Sequence, residues 1–86
     1  MEKLIHRKRQ KSKQVVAKRL KKAREGKGLT TQELSSLSSV RDLTIKRIEA
    51  GIHLGTIESA IKLAMALETT VEELFYVDTT KGRGEQ

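Results

Sequence analysis

Three threonines divide the chain into short helices, and this division constrains the fold more than any other feature of the sequence. Thr30 precedes an apolar stretch and is followed three residues later by Glu33. Thr70 and Glu73 repeat this spacing, and Thr56 begins another apolar stretch. A threonine hydroxyl at a helix start accepts a hydrogen bond from a backbone N–H, and a glutamate three residues on returns one to the threonine N–H. The pattern predicts a helix after each threonine.

Apolar side chains recur three and four residues apart, which is the spacing of one helix face. The residues expected in the core are Val16, Leu20 and Ala23 in a first helix, Leu34, Leu37 and Ser38 in a second, Val40, Ile45 and Ile48 in a third, Ile57, Ala60, Ile61, Ala64 and Leu67 in a fourth, and Val71, Leu74 and Phe75 in a fifth. Glycines are expected to end the first helix at Gly26 or Gly28 and the third at Gly51. The sequence therefore predicts an all-α fold, a compact domain of five helices.

The composition favours a helical protein that has neither disulfides nor thiolate metal sites. The 86 residues include no proline and no cysteine, and the only aromatic side chains are Phe75 and Tyr76. This composition favours helices over strands and excludes disulfides and thiolate metal sites. His6 and His53 stand apart without neighbouring ligands, so we expect no metal and no other cofactor. No apolar run approaches the ~18 residues of a membrane span and none fits a signal peptide, which predicts a cytoplasmic protein.

Positive charge is concentrated at the N-terminal end. Residues 1–27 contain 12 lysines and arginines and carry a net charge of +10, whereas residues 28–86 carry a net charge of −3. We expect a basic flexible N-terminal arm over residues 1–13, a helical domain over residues 14–77 and a polar tail over residues 78–86. A basic end on a near-neutral body indicates a polyanionic partner, although a solubilising tail has the same composition.

The motifs of common enzymes are absent from the sequence. It has no glycine-rich phosphate loop with a following Lys-Ser/Thr, no His-Glu-x-x-His, and no plausible pairing of a nucleophile with a histidine. We therefore expect that the protein is not an enzyme. The second and third helices, joined by a short turn, are instead typical of a helix-turn-helix unit. The polar outer face of such a third helix fits the major groove of DNA.

An ordered set of motifs covers residues 14–76. The set comprises Arg24, "GLT" at 28–30, Leu34, Val40, "TI" at 44–45, "RIEAG" at 47–51, "TIESAIKLAMAL" at 56–67 and "VEELF" at 71–75. It resembles the lambda-repressor/Cro-like (XRE-type) helix-turn-helix family. The resemblance implies a DNA-binding transcriptional regulator, expected to be a repressor, that is of prokaryotic or phage origin and is associated with DNA in the cytoplasm. It also implies an ion pair between Arg24 and Glu49 that ties the first helix to the third.

The resemblance assigns DNA contacts by position. The base-reading positions are Arg41, Asp42, Leu43 and Arg47. The phosphate-binding positions are Thr31, Gln32 and Lys46, together with Arg7, Lys8, Arg9, Lys11 and Lys13 of the arm. Arg47 is the strongest candidate, because arginine binds O6 and N7 of guanine in a bidentate manner. Asp42 fits equally well as a charge that stabilises the start of a helix.

The turn of the helix-turn-helix unit departs from the family pattern. Ser35 and Ser39 stand where the family usually has alanine and glycine, and Arg41 stands at the helix start where serine or threonine is favoured. We expect a slightly altered turn.

Dimeric helix-turn-helix proteins read half-sites about one DNA turn apart. We therefore expect a homodimer on a palindromic operator of double-stranded DNA. Its candidate dimer patch consists of Phe75, Tyr76 and Val77, although core packing is the commoner role of such a phenylalanine.

The alternative is a protein-interaction module of the same fold, for example an antitoxin. Asp42, Leu43 and the apolar loop at 52–54 favour it, whereas Arg41, Arg47 and the basic arm oppose it. Binding to an acidic membrane surface is a weaker alternative, because the basic helix lacks tryptophan or phenylalanine anchors. RNA binding through the arm stays open.

Overall fold

Five α-helices and no strand make up the part of the chain that the structure describes. The structure is a computed structural model, which describes the backbone of residues 2–76 and the side chains of residues 12–76. The helices are α1 (Glu2–Gly26), α2 (Thr31–Ser38), α3 (Asp42–Glu49), α4 (Ile57–Ala66) and α5 (Val71–Phe75). The prediction of an all-α fold is confirmed. No helix in the described part of the chain is both long and apolar enough to cross a membrane.

Threonine caps begin α2 and α5. The Thr30 hydroxyl accepts a hydrogen bond from the Glu33 N–H at 3.0 Å, and the Glu33 carboxylate accepts one from the Thr30 N–H at 2.9 Å. This is the complete capping box that the sequence predicts. At α5 the Thr70 hydroxyl accepts from the Glu73 N–H at 3.1 Å, and the structure records no return bond from the Glu73 side chain.

The cap of α4 uses a serine in the place of the glutamate. The Thr56 hydroxyl accepts from the Ser59 N–H at 3.1 Å, and the Ser59 hydroxyl accepts from the Thr56 N–H at 2.9 Å. Ser59 is buried beneath the first turn, so a short side chain is enough to reach back to the cap. The reciprocal arrangement fixes the direction in which α4 leaves the preceding loop.

Glycines with left-handed backbone follow two of the helices. Gly28 has φ +69° after α1, and Gly51 has φ +77° after α3. Beyond Gly51, the Ile52 N–H donates to the Arg47 carbonyl at 3.0 Å, which satisfies an otherwise free carbonyl of the last turn. A residue with a side chain is disfavoured at such φ values, so the two glycines define where these helices end.

The start of α1 differs from the expectation. The sequence predicts a helix from about Gln14, preceded by a flexible arm, whereas α1 begins at Glu2. Six of the residues 2–13 are lysine or arginine, which are good helix formers, and no glycine or proline interrupts them. Like charge alone therefore does not end the helix. The boundary between an arm and the domain stays a prediction.

The helices pack in a closed ring around one core. Going around this ring, α1 packs against α3, α3 against α2, α2 against α4, α4 against α5, and α5 against α1. The buried residues at the centre are Val16, Leu20, Leu34, Val40, Ile45, Ile48, Leu63, Ala64, Leu67 and Leu74. α3 and α4 are thus both packed against α2.

Three apolar residues that the sequence places in the core lie at the surface. Leu37 is 62% exposed, Ile57 is 81% exposed and Ile61 is 46% exposed, so these three predictions are wrong. The inward face of α4 carries the predicted Leu67 and the two predicted alanines, together with Leu63, which the pattern does not place in the core. This stripe is rotated by part of a turn from the predicted one. It buries two leucines while the small alanines allow the neighbouring helices to approach closely.

The Arg24 guanidinium joins three segments of the chain. Its Nε donates to Oε2 of Glu49 at 2.7 Å and its Nη2 donates to Oε1 at 3.0 Å, while Nη1 donates to the Leu29 carbonyl at 2.7 Å. The side chains of Arg24 and Glu49 are only 12% and 9% exposed. Hydrogen bonding to Glu49 raises the pKa of Arg24. The pair lies at the last turn of α3 and holds that turn against α1, and the two-bond geometry resists rotation of either side chain.

We expect Glu49→Gln to lower the free energy of unfolding by about 2–4 kcal/mol, because a little-exposed guanidinium then lacks its charged partner. Urea denaturation followed by circular dichroism measures the change. Glu25→Gln is the matched control, since this 58% exposed carboxylate lies 4.0 Å from the same guanidinium. Its removal should change the free energy by less than about 0.5 kcal/mol. Equal losses in the two variants would contradict the assignment.

We also expect Ser39→Gly to raise the free energy of unfolding by about 1 kcal/mol, because the serine closes α2 in a left-handed conformation that glycine adopts without cost. Ser39 has φ 65° and ψ 20°, and its N–H donates to the Ser35 carbonyl at 2.9 Å. Ser36→Gly, at an exposed position inside the same helix, should instead lower it by about 0.5 kcal/mol. The two substitutions are compared by thermal denaturation, and a loss in both would argue against strain at Ser39.

Candidate nucleic-acid interface

The two helices of the helix-turn-helix unit meet across a short buried turn. Val40, in the turn between α2 and α3, is buried, and its N–H donates to the buried hydroxyl of Ser38 at 3.1 Å. The carbonyl of Arg41 accepts the first hydrogen bond of α3 from the Ile45 N–H at 3.0 Å. The turn is therefore held by the Ser38 hydroxyl, by backbone hydrogen bonds and by the buried side chain of Val40. No side chain caps α3, since Arg41 stands at the cap and makes no such bond.

The outer face of α3 is basic with one apolar residue. Ile45 and Ile48 are fully buried, which turns the opposite side of the helix to solvent. Among the predicted base-reading residues, Arg41, Leu43 and Arg47 are exposed. Leu43 and Arg47 are four residues apart and so lie on one ridge of the helix. The structure thus exposes two guanidinium groups and one apolar side chain on the same short segment.

The fourth predicted base reader, Asp42, already has partners within the protein. Its Oδ2 lies 3.0 Å from Nζ of Lys46, one turn later in α3, and the side chain is 29% exposed. Interactions with Lys46 and with the Thr31 side chain of α2 lower the pKa of Asp42. Its other oxygen, Oδ1, is buried and has no partner at hydrogen-bond geometry among the described residues. The structure thus brings three predicted DNA-contacting residues, Thr31, Asp42 and Lys46, together at the start of α2 and α3.

The remaining predicted phosphate contacts lie on two helices. Gln32 is exposed in the first turn of α2, beside backbone N–H groups that point out of the helix. Lys13 is half-buried on α1. Arg7, Lys8, Arg9 and Lys11 lie outside the range of described side chains. α1 passes the end of α3, because a Cβ at Gly51 would lie 3.9 Å from Cγ of Gln14. The basic residues before Gln14 therefore continue from the side of the domain that carries α3.

A cleft beside α3 contains residues that the sequence pattern does not single out. It measures about 350 Å³, and among the side chains that line it are Arg41, Thr44, His53 and Lys62. Thr44 lies three residues after Arg41, and this helical spacing is the signal that identifies it. His53 and Lys62 come from the α3–α4 loop and from α4, and no spacing in the sequence links them to α3. The cleft extends the polar surface of α3 toward the start of α4.

Of the two described residues of the candidate dimer patch, one packs against the core and the other has an exposed side chain. Phe75 is half-buried and packs against the core, which is the commoner role noted from the sequence. Tyr76 is 56% exposed, and its backbone carbonyl accepts a hydrogen bond from Arg19. Val77 lies outside the described residues. Of the three residues, Tyr76 alone offers an exposed side chain in the described part of the chain.

We expect Asp42→Asn to lower stability in a way that depends on pH. The lowered pKa means that the ionised carboxylate stabilises the fold above its ordinary pKa of 3.8, and that this contribution is lost as the pH falls through the lower value of the folded state. Urea midpoints of the variant and the parent should therefore differ at neutral pH and converge in strong acid. In a protein that carries Lys46→Gln, adding Asp42→Asn should change the urea midpoint at neutral pH much less than it does in the parent. A gap that persists in strong acid would contradict this cause.

The chain was compared with known proteins. A helix-turn-helix family model matches residues 20–74, which include the turn, α2 to α4, most of α5 and the second part of α1. No curated protein and no solved structure matches the chain. The matched range covers more than half of the 86 residues. With a buried turn between two short helices and a basic outer face on the second, the chain belongs to the helix-turn-helix family of the XRE, lambda-repressor/Cro-like type, a family of DNA-binding regulators.

Proposed function

We propose that the protein is a sequence-specific transcriptional regulator, acting as a repressor, that reads the major groove with α3 as a homodimer on a palindromic operator. The observation that carries the proposal is the outer face of α3, where Arg41 and Arg47 are exposed on a helix whose inner face is anchored by Ile45 and Ile48. A helix is narrow enough to enter the major groove, in which the base edges differ in their donors and acceptors.

The contacts of Asp42 within the protein support a structural role for this residue, separate from base reading by the other residues of α3. Its carboxylate is held by Lys46, so the negative charge that would repel DNA phosphates is partly compensated within the protein. In this proposal Asp42 orients the start of α3 against Thr31, and base reading falls to Arg41, Leu43 and Arg47. Leu43 supplies an apolar contact of the kind that a thymine methyl group accepts.

Phosphate contacts are proposed at two places that flank α3. Thr31 and Gln32 stand in the first turn of α2, where backbone N–H groups and the helix dipole favour anions. The basic residues of α1 before Gln14 add positive charge on the side where α1 passes the end of α3. Contacts of this kind add affinity without sequence preference and weaken as salt rises.

Arg47→Ala tests the proposal directly. A duplex selected from a randomised pool is titrated with each variant by fluorescence anisotropy over a salt series. We expect the variant to lose about 1–3 kcal/mol of binding free energy and to relax the preference at one base pair. Lys22→Ala is the matched control, because this exposed lysine of α1 lies beside α5, near Thr69 and Glu73. It should shift affinity only slightly and leave sequence preference unchanged. Failure of the pool to yield any enriched sequence would overturn the proposal.

A second candidate function is a protein-interaction module, for example one that binds a toxin. Exposed apolar side chains next to the outer face of α3 favour it, since Leu43 is 56% exposed and Ile52 is 59% exposed. Leu43→Asn distinguishes the candidates. A DNA reader should keep most of its affinity and change its preference at one position, whereas a module that buries this leucine in a protein should lose its partner while its weak, salt-sensitive DNA binding is unaltered.

A further inference from the structure

An apolar face of α4 lies exposed at the surface, and its residues do not line the cleft beside α3. Ile57 is 81% exposed, Ile61 is 46% exposed and Met65 is 72% exposed, and the three follow one another at intervals of one helical turn. Leu37 of α2, 62% exposed, lines one shallow cleft together with Met65. These four residues are called the α4 face. From it we infer that α4 is the dimer interface and that its occupant is the α4 face of a second copy of this chain.

The size of the α4 face matches the apolar part of a stable interface. Its four large side chains present on the order of 500 Å² of apolar surface, a patch size that is often functional. A stable interface buries about 800 Å² per partner, of which roughly 60% is apolar. The α4 face therefore supplies the apolar centre that such an interface needs. The C-terminal candidate patch, in comparison, offers only one exposed side chain among the described residues, that of Tyr76.

The arrangement of the α4 face is complementary to itself. Ile61 stands at the middle, with Ile57 one turn before it and Met65 one turn after it. A two-fold axis through Ile61 packs two α4 helices antiparallel. Ile61 then meets Ile61, and Ile57 meets Met65 of the second copy. A two-fold dimer requires this kind of match, because both copies contribute the same surface.

Charges along the rim favour the same antiparallel packing. Glu58 and Lys62 border the α4 face, lie one turn apart and form an ion pair with Nζ and Oε2 at 3.0 Å. Antiparallel packing reverses their order in the second helix, so that Glu58 of one copy approaches Lys62 of the other. In a parallel two-fold pair the rims of the two copies lie on opposite sides of the contact, so these charges would not meet across it. Complementary rim charges select orientation more than they add affinity.

The α4 face and the outer face of α3 can be used at the same time. The residues proposed to read DNA are not part of the α4 face, and none of the four residues of that face lines the cleft that contains Arg41. The biological role of this dimer rests on the proposed function, in which two copies read two half-sites. The interface itself depends only on α4 and its neighbour α2.

The experiment measures self-association of the full chain without DNA by sedimentation equilibrium. The parent should dimerise, and the double variant Ile61→Glu with Met65→Glu should raise the dimer Kd by about 30-fold or more, as expected for charges placed at the centre of an apolar interface. Both sites are exposed, so folding should be preserved, which circular dichroism verifies. Tyr76→Glu is the control and should leave the Kd unchanged. A parent that stays monomeric, or a Kd that responds to Tyr76→Glu and not to the double variant, would overturn the inference.

Charge reversal gives a second measurement that does not depend on apolar packing. Glu58→Lys and Lys62→Glu should each weaken the homodimer, because like charges then face one another across the two-fold axis. An equal mixture of the two variants should form a heterodimer more tightly than either variant associates alone. Within each chain the ion pair is lost in both, so a purely intrachain role would give no gain on mixing. The absence of that gain would count against antiparallel α4 packing.

The outcome for DNA binding is read separately. If the α4 variants lose selection of palindromes but still bind a half-site, the inference and the proposed function both stand. If the parent dimerises through α4 but enriches no sequence, the proposed function fails and the interface stands. If the parent enriches palindromic sites and the α4 variants do so equally well, the inference fails while the proposed function stands.

Discussion

The paired guanidinium and carboxylate of Arg24 and Glu49 determine where α3 lies. One end of α3 is fixed to α1 through two hydrogen bonds, and the same guanidinium holds the Leu29 carbonyl in the segment that leads into α2. The side chain of Arg24 thus helps to position both helices of the helix-turn-helix unit. An eight-residue helix is marginally stable by itself, so its formation and its position depend on tertiary contacts. The interaction is therefore a positional constraint on the surface proposed to read DNA, although neither residue belongs to that surface.

At the start of α3, the charge of an acidic residue takes the place of a side-chain cap. Arg41 provides no side-chain cap, so the first turn relies on Asp42, whose charge suits the helix start and whose carboxylate also holds Lys46. Thr31, in the first turn of α2, lies close enough to influence the same carboxylate. The α2 and α3 starts are thus coupled through one acidic residue. A substitution there acts on geometry and on local charge together, and the two effects have to be separated by pH.

Local signals in the sequence predict the starts of α2, α4 and α5 and the ends with left-handed glycines, because the atoms involved lie within a few residues of one another. Thr30 with Glu33 is the clearest case. The inward face of α4 is less predictable, since Ile57 and Ile61 compete with Leu63 and Leu67 for the core at the same helical spacing. The choice depends on what α2 and α5 present to α4, and a single helix does not encode that. The assembly of Thr31, Asp42 and Lys46 is likewise a tertiary arrangement of residues that the sequence treats one by one.

The ring of helix contacts has a consequence for synthesis of the chain. α1 is made first, yet one of its two packing partners is α5, a helix of five residues at the far end of the described domain. Leu74 of that helix is part of the buried core, and the carbonyl of Tyr76 receives the hydrogen bond of Arg19. A nascent chain that still lacks these residues leaves one side of α1 and α4 open to water. The domain is therefore expected to complete its cooperative folding only once residues 71–76 have emerged from the ribosome.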